Sequence, residues 1–384
     1  MTLRTKRVMH AVAAVACLAF GAKSTHGPTI AAAAETTERD GVSRNPLLPP
    51  GPNNPRNSEG AFITLKDGRI LFIYTHFTSG GADHAAAYLA SRTSSNGGIT
   101  WTDKDEVVVP NEGKLNVMSV SLLRLASGRI LLFYLRKNAL DDCRLQLRTS
   151  DDEARTWSEP RECFPESGVY VINNDRIIQL KSGRLVAPAA LHPYEAKKGL
   201  GPGQAICLLS DDEGNSWRRS KSTLAGPEGS RTGLQEPGIV ELKDLRLMML
   251  CRTDQRCQYR SYSRDGGDTW TPAEATEIKS PVSPASVKRI PSTGDLLMVW
   301  NDHAAIDPKL RDRRTPFTAA ISRDDGATWS KPKVLEDDPA GWYCYTAIHF
   351  VGDRVLLGHC AGDAQVGRLN RTQITSFPVE WLYK

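Results

Sequence analysis

One eight-residue pattern recurs along this chain and constrains its fold more than any other feature. It reads Ser-x-Asp-x-Gly-x-Thr-Trp. It occurs as Ser94-Ser-Asn-Gly-Gly-Ile-Thr-Trp101, Ser150-Asp-Asp-Glu-Ala-Arg-Thr-Trp157, Ser210-Asp-Asp-Glu-Gly-Asn-Ser-Trp217, Ser263-Arg-Asp-Gly-Gly-Asp-Thr-Trp270 and Ser322-Arg-Asp-Asp-Gly-Ala-Thr-Trp329. The tryptophans lie 56, 60, 53 and 59 residues apart, and five of the eight Trp sit in this one pattern, so chance is not its source. A period of this size marks a fold assembled from copies of one supersecondary unit.

A second element precedes each box. Its clear copies are Leu65-Lys-Asp-Gly-Arg-Ile-Leu71, Leu125-Ala-Ser-Gly-Arg-Ile-Leu131 and Leu180-Lys-Ser-Gly-Arg-Leu-Val186, with weaker ones beginning at Leu242, Ile290 and Val351. Asp-Gly and Ser-Gly between apolar runs are hairpin turns, because Gly accepts positive φ. The runs that follow, such as Ile70-Leu-Phe-Ile-Tyr74 and Ile130-Leu-Leu-Phe-Tyr134, favour strand by composition. Long helical periodicity is absent. A unit of this length with two hairpins is one four-stranded antiparallel sheet. Six of them around an axis predict an all-β fold, a six-bladed β-propeller spanning residues 56–384. Only five boxes accompany the six strand motifs. The last unit, from Val351 to about Trp381, is therefore expected to be closed by the segment before Arg56.

In the boxes, Ser, Asp and Thr can cap backbone groups of a turn, and Trp can fill the space between sheets. The other use of Asp152, Asp212, Asp265 and Asp324 would be calcium or ligand binding. Asn96 in the first box and Ala154 in the second argue for the structural role.

The N-terminus reads as an export signal. Arg4, Lys6 and Arg7 precede an uncharged run from Val8 to Phe20, and small residues follow near Ala22 and Ala31–Ala34. Ala-Val-Ala-Cys17 has part of a lipoprotein cleavage box, without the usual Leu. Residues 1–34 are thus expected as a signal peptide and small-residue region, and 35–55 as a linker. The mature protein is expected to be exported, periplasmic or extracellular, with no membrane span. Cys251 and Cys257 could face each other across a hairpin there. The formal charge is 49 − 44 = +5, and residues 1–23 hold four basic residues and no acid, so removing them leaves +1. Bulk charge therefore gives no reason to expect a nucleic-acid partner.

The five boxes resemble the Asp-box, or BNR, repeats of the sialidases (neuraminidases), and the resemblance runs from about Arg56 to the C-terminus. The stretch Gln235-Glu-Pro-Gly to Cys251-Arg252 is similar to the family's segment in which a Glu precedes a hairpin and an Arg closes the next strand. The resemblance implies Glu236 as the carboxylate partner of a tyrosine nucleophile, and Arg252 as a substrate-binding arginine, with Arg136 as rival. Arg314-Thr-Pro-Phe leads into the fifth box as the family's later arginine does. Arg311 and Arg313 are its neighbours. Tyr345-Thr-Ala-Ile348 is similar to the family's Tyr-Ser-x-Leu, which implies Tyr345 as nucleophile and Tyr343 as runner-up. Arg56 stands where the family has Arg-Ile-Pro, though Asn-Ser follows it here. Asp83, in the loop Gly80-Gly-Ala-Asp83, falls where the family keeps its acid/base.

The chemistry suits this set. A sialic acid carries a carboxylate on its anomeric carbon, which arginines hold by charge-assisted, partly bidentate hydrogen bonds. A neutral tyrosine, deprotonated by Glu236 as it attacks, avoids the repulsion an anionic nucleophile would meet. Asp83 would protonate the leaving oxygen and then activate water, with retention of configuration and without metal or cofactor. The implied partners are sialylated or other acidic-sugar glycoconjugates. Two other readings stand beside it. One is a carbohydrate-binding or scaffold propeller without catalysis. The other is a propeller glycosidase with paired carboxylates, Asp83 with Glu59 or Asp175. Asn173, Asn174, Asp175, Arg176, Asp302 and His303 are further polar residues that could line the pocket.

Overall fold

The strand motifs close as tight hairpins. In a computed structural model that describes residues 35–384, Gly68, Gly128 and Gly183 take φ of +86°, +91° and +91°. Their N–H groups return to the carbonyls of Leu65, Leu125 and Leu180 at 3.0, 2.9 and 2.8 Å. At the fourth turn Leu245 replaces the glycine and keeps the left-handed shape, at φ +68°. The export-signal residues, among them Arg4, Lys6, Arg7 and Cys17, lie outside the described residues.

These hairpins build an all-β fold. Among the described residues the only helices are 3₁₀ turns at Pro308–Leu310 and Val379–Tyr383. No helix there is long and apolar enough to cross a membrane. Three sheets have four antiparallel strands each. The first runs from Arg56 to Val109, the next from Gln235 to Lys279, and another from Ser286 to Glu336.

The remaining strands depart from six uniform four-stranded sheets. A nine-stranded sheet spans Asn116 to Arg219. It consists of two antiparallel runs joined by one parallel residue pair, Val169 with Cys143. The last sheet has five strands. Trp342–Val351, Arg354–Gly362 and Thr372–Pro378 are extended by Val42–Leu48 and Thr37–Arg39. Much of the region expected as a linker is therefore strand. Ser43 pairs with Ser376, so the segment before Arg56 completes this sheet. It covers backbone groups that an open edge would leave unpaired. A small hairpin, Tyr194–Glu195 with Gly199–Leu200, stands apart from the large sheets.

The leading strand of each sheet meets its neighbours. Arg56–Thr64 touches both Asn116–Arg124 and Trp342–Val351, and Ser286–Arg289 touches Gln235–Glu241 and Trp342–Val351. The Asp175 N–H reaches the Val120 carbonyl at 3.0 Å. Apolar side chains fill the spaces between sheets, as where Phe62 and Phe72 of the first sheet pack with Leu356 and Ile374 of the last.

Each box is spent on its own turn. The hydroxyls of Ser150, Ser210, Ser263 and Ser322 donate to the Asp two residues on, each at 2.8 Å. The second carboxylate oxygen takes the Thr or Ser hydroxyl four residues after the Asp, at 2.6 Å in all four. Trp101, Trp217 and Trp270 donate Nε1–H to the carbonyls of Gly98, Gly214 and Gly267. A Cβ at Gly98 would lie 2.6 Å from Leu356 Cδ1 of the neighbouring sheet, which shows how closely the box turn is packed.

The hairpin register places Cys251 opposite Tyr259 and not Cys257, because Cys257 comes two positions earlier on the returning strand. That facing pair is absent, and both cysteines are buried free thiols, the alternative the sequence left equally open. Cys344 stands opposite Cys360 instead.

Hydrogen bonds from the Thr or Ser hydroxyl and N–H hold the Asp152, Asp212 and Asp324 carboxyls at about 2. That is below the ~3.9 of an unfolded Asp, so the stability they contribute is present above about pH 4 and lost as pH falls toward 2. Thermal unfolding should show a falling Tm across that window. Replacing all three by Asn, which keeps the acceptor as Asn96 does, should flatten the fall. Equal slopes in the two proteins would remove the boxes from the acid sensitivity.

Candidate active site

Four leading strands lose register at corresponding points. The shifts lie between Ser58 and Ala61, Met118 and Ser121, Gln235 and Gly238, and Cys344 and Ala347. Inside each bulge a non-glycine residue turns left-handed: Glu59 at φ +57°, Ser119 at +60°, Glu236 at +45° and Tyr345 at +57°. A bulge re-aims a side chain that strand alternation would point elsewhere, and strain of this kind gathers at functional sites. All four residues line one cavity of about 710 Å³. The first bulge also requires Gly60, since a Cβ there would lie 2.4 Å from the Phe72 ring.

The expected nucleophile and its partner meet in this cavity. The Tyr345 hydroxyl donates to Glu236 Oε1 at 3.3 Å. Glu236 Oε2 accepts from Arg252 Nη1 at 2.7 Å. The Arg314 guanidinium stands 5.2 Å from the Tyr345 ring centre and 5.4 Å from that of Trp342. Burial raises the Tyr345 pKa and the Glu236 charge raises it further; Arg314 and Arg252 oppose both, and the net shift is upward. The residue is a neutral phenol at neutral pH. Arg314 Nε and Nη1, Arg252 Nε and Asn173 Nδ2 are buried donors without a protein partner. All three residues line the cavity. Buried donors of this kind are costly to leave unpaired, and they suit a ligand rich in acceptors, above all an anion.

Arg56 is placed differently from expectation. It is buried and does not line the cavity. Its Nη1 donates to Asp83 Oδ1 at 2.5 Å and to the Gly81 carbonyl at 3.0 Å. Its Nη2 donates to Glu59 Oε1 at 2.8 Å. The reason is Glu59, whose carboxyl the first bulge turns inward and whose charge needs a partner where water is excluded. Burial raises the Glu59 pKa, against the Arg56 charge and a hydrogen bond from the Ser119 hydroxyl.

Asp83 does line the cavity, with its side chain 63% exposed at the edge. Burial pushes its carboxyl up, and the charge and hydrogen bond of Arg56 more than reverse this, so the net shift is downward. The loop that carries it is anchored, because the Asp83 carbonyl accepts from Asn116 Nδ2 and Lys137 Nζ, both at 3.0 Å.

The rival residues go elsewhere. Tyr343 packs on Phe317 in the core of the last sheets, and Arg136 donates to Glu162 at 3.1 Å. Asp302 caps the Ala304 N–H, and His303 Nε2 lies 3.1 Å from the Thr315 carbonyl. Asp175 is paired with Lys288. Asn173 lines the cavity, whereas Asn174 and Arg176 do not. Ser119, Lys137, His192 and Arg231 also line it and were not anticipated. The nearest signal for the missed geometry was Glu59, a charge followed by Gly inside a strand that is otherwise buried.

Comparison with known proteins agrees with this architecture. A family described as the BNR repeat-like domain matches residues 89–357. The chain is 24% identical over 320 residues to a sialidase of Micromonospora viridifaciens, covering 75% of this chain and 47% of that protein. It thus spans about half the length of this curated relative. Among solved structures, a Dyadobacter fermentans protein of unknown function superposes with a TM-score of 0.71 at 17% identity, over 88% of this chain and all of that one. The Trypanosoma rangeli sialidase superposes with a TM-score of 0.68 at 15% identity, over 90% of this chain and 61% of that one. A Hadza microbial sialidase gives 0.67 at 18% identity, over 85% of this chain and 66% of that one. These superpositions show a sialidase-like, propeller-like fold.

The two kinds of arginine should separate in stability. Arg56→Met leaves the buried Glu59 unpaired and should cost about 3 kcal/mol or more. Arg314→Met breaks no ion pair and should cost about 1 kcal/mol or less. Chemical denaturation of both variants checks this; equal losses would contradict the assignment of Arg56 to Glu59.

Proposed function

The chain belongs to the BNR repeat-like domain family, and on that premise we propose that it is an exo-acting, sialidase-like glycoside hydrolase. In this reading it removes a terminal sialic acid, or a related acidic sugar, from glycoconjugates. The observation that carries the proposal is the Tyr345–Glu236 hydrogen bond of 3.3 Å, with the unpartnered donors of Arg252 and Arg314 lining the same cavity. The two halves of the nine-stranded sheet count as separate blades in this reading, which makes six around the cavity.

The substrate carboxylate is held by Arg252 and Arg314. Tyr345 Oη attacks the anomeric carbon while Glu236 Oε1 takes its proton, so charge does not build up facing the carboxylate. The glycosidic bond breaks as Asp83 gives a proton to the leaving oxygen. Water then attacks the same carbon, with Asp83 taking its proton. Tyr345 leaves and recovers its proton from Glu236, and the configuration is retained. For Asp83 to act first as an acid, its contact with Arg56 must loosen, because that contact favours the anion. A substrate carboxylate held by Arg252 and Arg314 in the same cavity adds negative charge facing Asp83 and would raise its pKa toward the working range. A covalent intermediate is described for the Trypanosoma rangeli sialidase with 2,3-difluorosialic acid, which supports the covalent step by analogy. The charged and apolar pattern of residues 4–20 supports export, and hence a substrate outside the cytoplasm.

The paired-carboxylate reading keeps one observation, since Glu59 and Asp83 share Arg56. Arg252 and Arg314 in the same cavity favour the carboxylate-binding alternative.

A fluorogenic sialoside tests the proposal. Wild-type protein should release the fluorophore. Tyr345→Phe and Asp83→Ala should each lose about 10²-fold or more in kcat, the scale of nucleophilic and acid–base contributions. Full activity in Tyr345→Phe would exclude the mechanism, and no release from any acidic-sugar glycoside would leave a binding role.

A further inference from the structure

The bulge that presents Tyr345 carries a structural debt. Pairing between Trp342–Val351 and Arg354–Gly362 stops at Cys344 with Cys360 and resumes at Ala347 with Gly358. The peptide groups between these points lie in the buried centre and still require partners. Side chains from elsewhere provide them. The Asn174 amide donates from Nδ2 to the Tyr345 carbonyl at 3.0 Å and to the Gly60 carbonyl at 2.8 Å. Ser286 Oγ donates to the Thr346 carbonyl at 2.7 Å. Just past the interruption, Asp175 Oδ2 accepts the Ile348 N–H at 2.9 Å, and Lys288 Nζ donates to the Ile348 carbonyl at 2.7 Å while holding Asp175.

Asn174 is the member of this set that joins two bulges. A primary amide has two N–H donors, and here they reach one carbonyl each, on the leading strands of the first and last sheets. Asn174 is 1% exposed and does not line the cavity. Its own Oδ1 has no partner, so the two donated bonds are what orient the side chain. Tyr345 reaches Glu236 only at 3.3 Å, with a left-handed backbone. A small rotation of the Tyr345 peptide would carry the hydroxyl out of range.

We propose that Asn174 is a positioning residue for Tyr345, clamping the left-handed peptide of the last sheet to the Glu59–Gly60 bulge of the first. This rests on Tyr345 being the nucleophile of the proposed hydrolase. The role is conformational: Asn174 touches no substrate, so its removal acts on kcat and leaves KM in place.

Two variants and two readouts test it. Asn174→Ala should lower kcat on the fluorogenic sialoside by about tenfold or more, roughly 1.4 kcal/mol in the barrier, with KM little changed. A crystal structure of the variant should show Tyr345 Oη beyond hydrogen-bond reach of Glu236. Asn174→Asp presents a carboxylate to two carbonyls and should be impaired at neutral pH. Its activity relative to wild type should rise as pH falls, because a protonated carboxyl can donate one of the two bonds. Wild-type kcat in Asn174→Ala, or an unmoved Tyr345, overturns the proposal. If wild-type protein releases no acidic sugar, the hydrolase reading fails, and the crystallographic separation still decides whether Asn174 holds Tyr345.

Discussion

The structure depends on a repeated interruption of strand pairing. Where the leading strands of four sheets bulge, left-handed residues at Glu59, Ser119, Glu236 and Tyr345 face a common cavity. Ordinary strand alternation would send alternate side chains into the spaces between sheets. The bulge instead aims chosen side chains at the common cavity, and it releases backbone groups that the ladder no longer satisfies. The centre must then supply polar partners in a place with little water, as Asn174, Asp175, Ser286 and Lys288 do around Tyr345. Chemistry and packing are set by the same distortion.

Charge is divided by the same logic. A carboxylate turned inward at Glu59 takes Arg56 out of use as a cavity residue. At Glu236 the partner Arg252 stays within the cavity wall, and Arg314 stacks on Tyr345 with two donors unpaired. The cavity thus has one arginine tied to Glu236, one available, and one outside its lining whose contact with Asp83 favours the carboxylate form. Three arginines of one side-chain type thus stand in three different settings because their pairings differ.

The outer turns carry the opposite burden. The boxes satisfy their own backbone with their own Asp or Asn side chains, and a glycine lets a neighbouring sheet close on the turn, as Gly98 does against Leu356. The last sheet has no box and is completed by Val42–Leu48. This joins the start of the described chain to its end and leaves the leading strands in mutual contact. That contact is what allows a donor at residue 174 to serve carbonyls at 60 and 345.

Periodic features were legible in the sequence. Turn glycines, apolar runs and the tryptophan period are local, and they determined an all-β repeat fold, its unit length and the order of its parts. The resemblance they support also pointed to Asp83, Glu236, Arg252, Arg314 and Tyr345, which the structure gathers at one cavity. It pointed equally to Arg56, which does not line that cavity, and it left Tyr343 beside Tyr345. What decided between those two was the register shift after Cys344. A one-residue slip exchanges the faces of a strand, and no local composition marks where it occurs. Closure of the last sheet by the segment before Arg56 was expected from the missing box, whereas the joining of two sheets through Val169 and Cys143 and the burial of Arg56 against Glu59 came only from tertiary structure. Each depends on a neighbour distant in sequence. Local sequence determined which elements form, and long-range pairing decided which side of each element the chemistry faces.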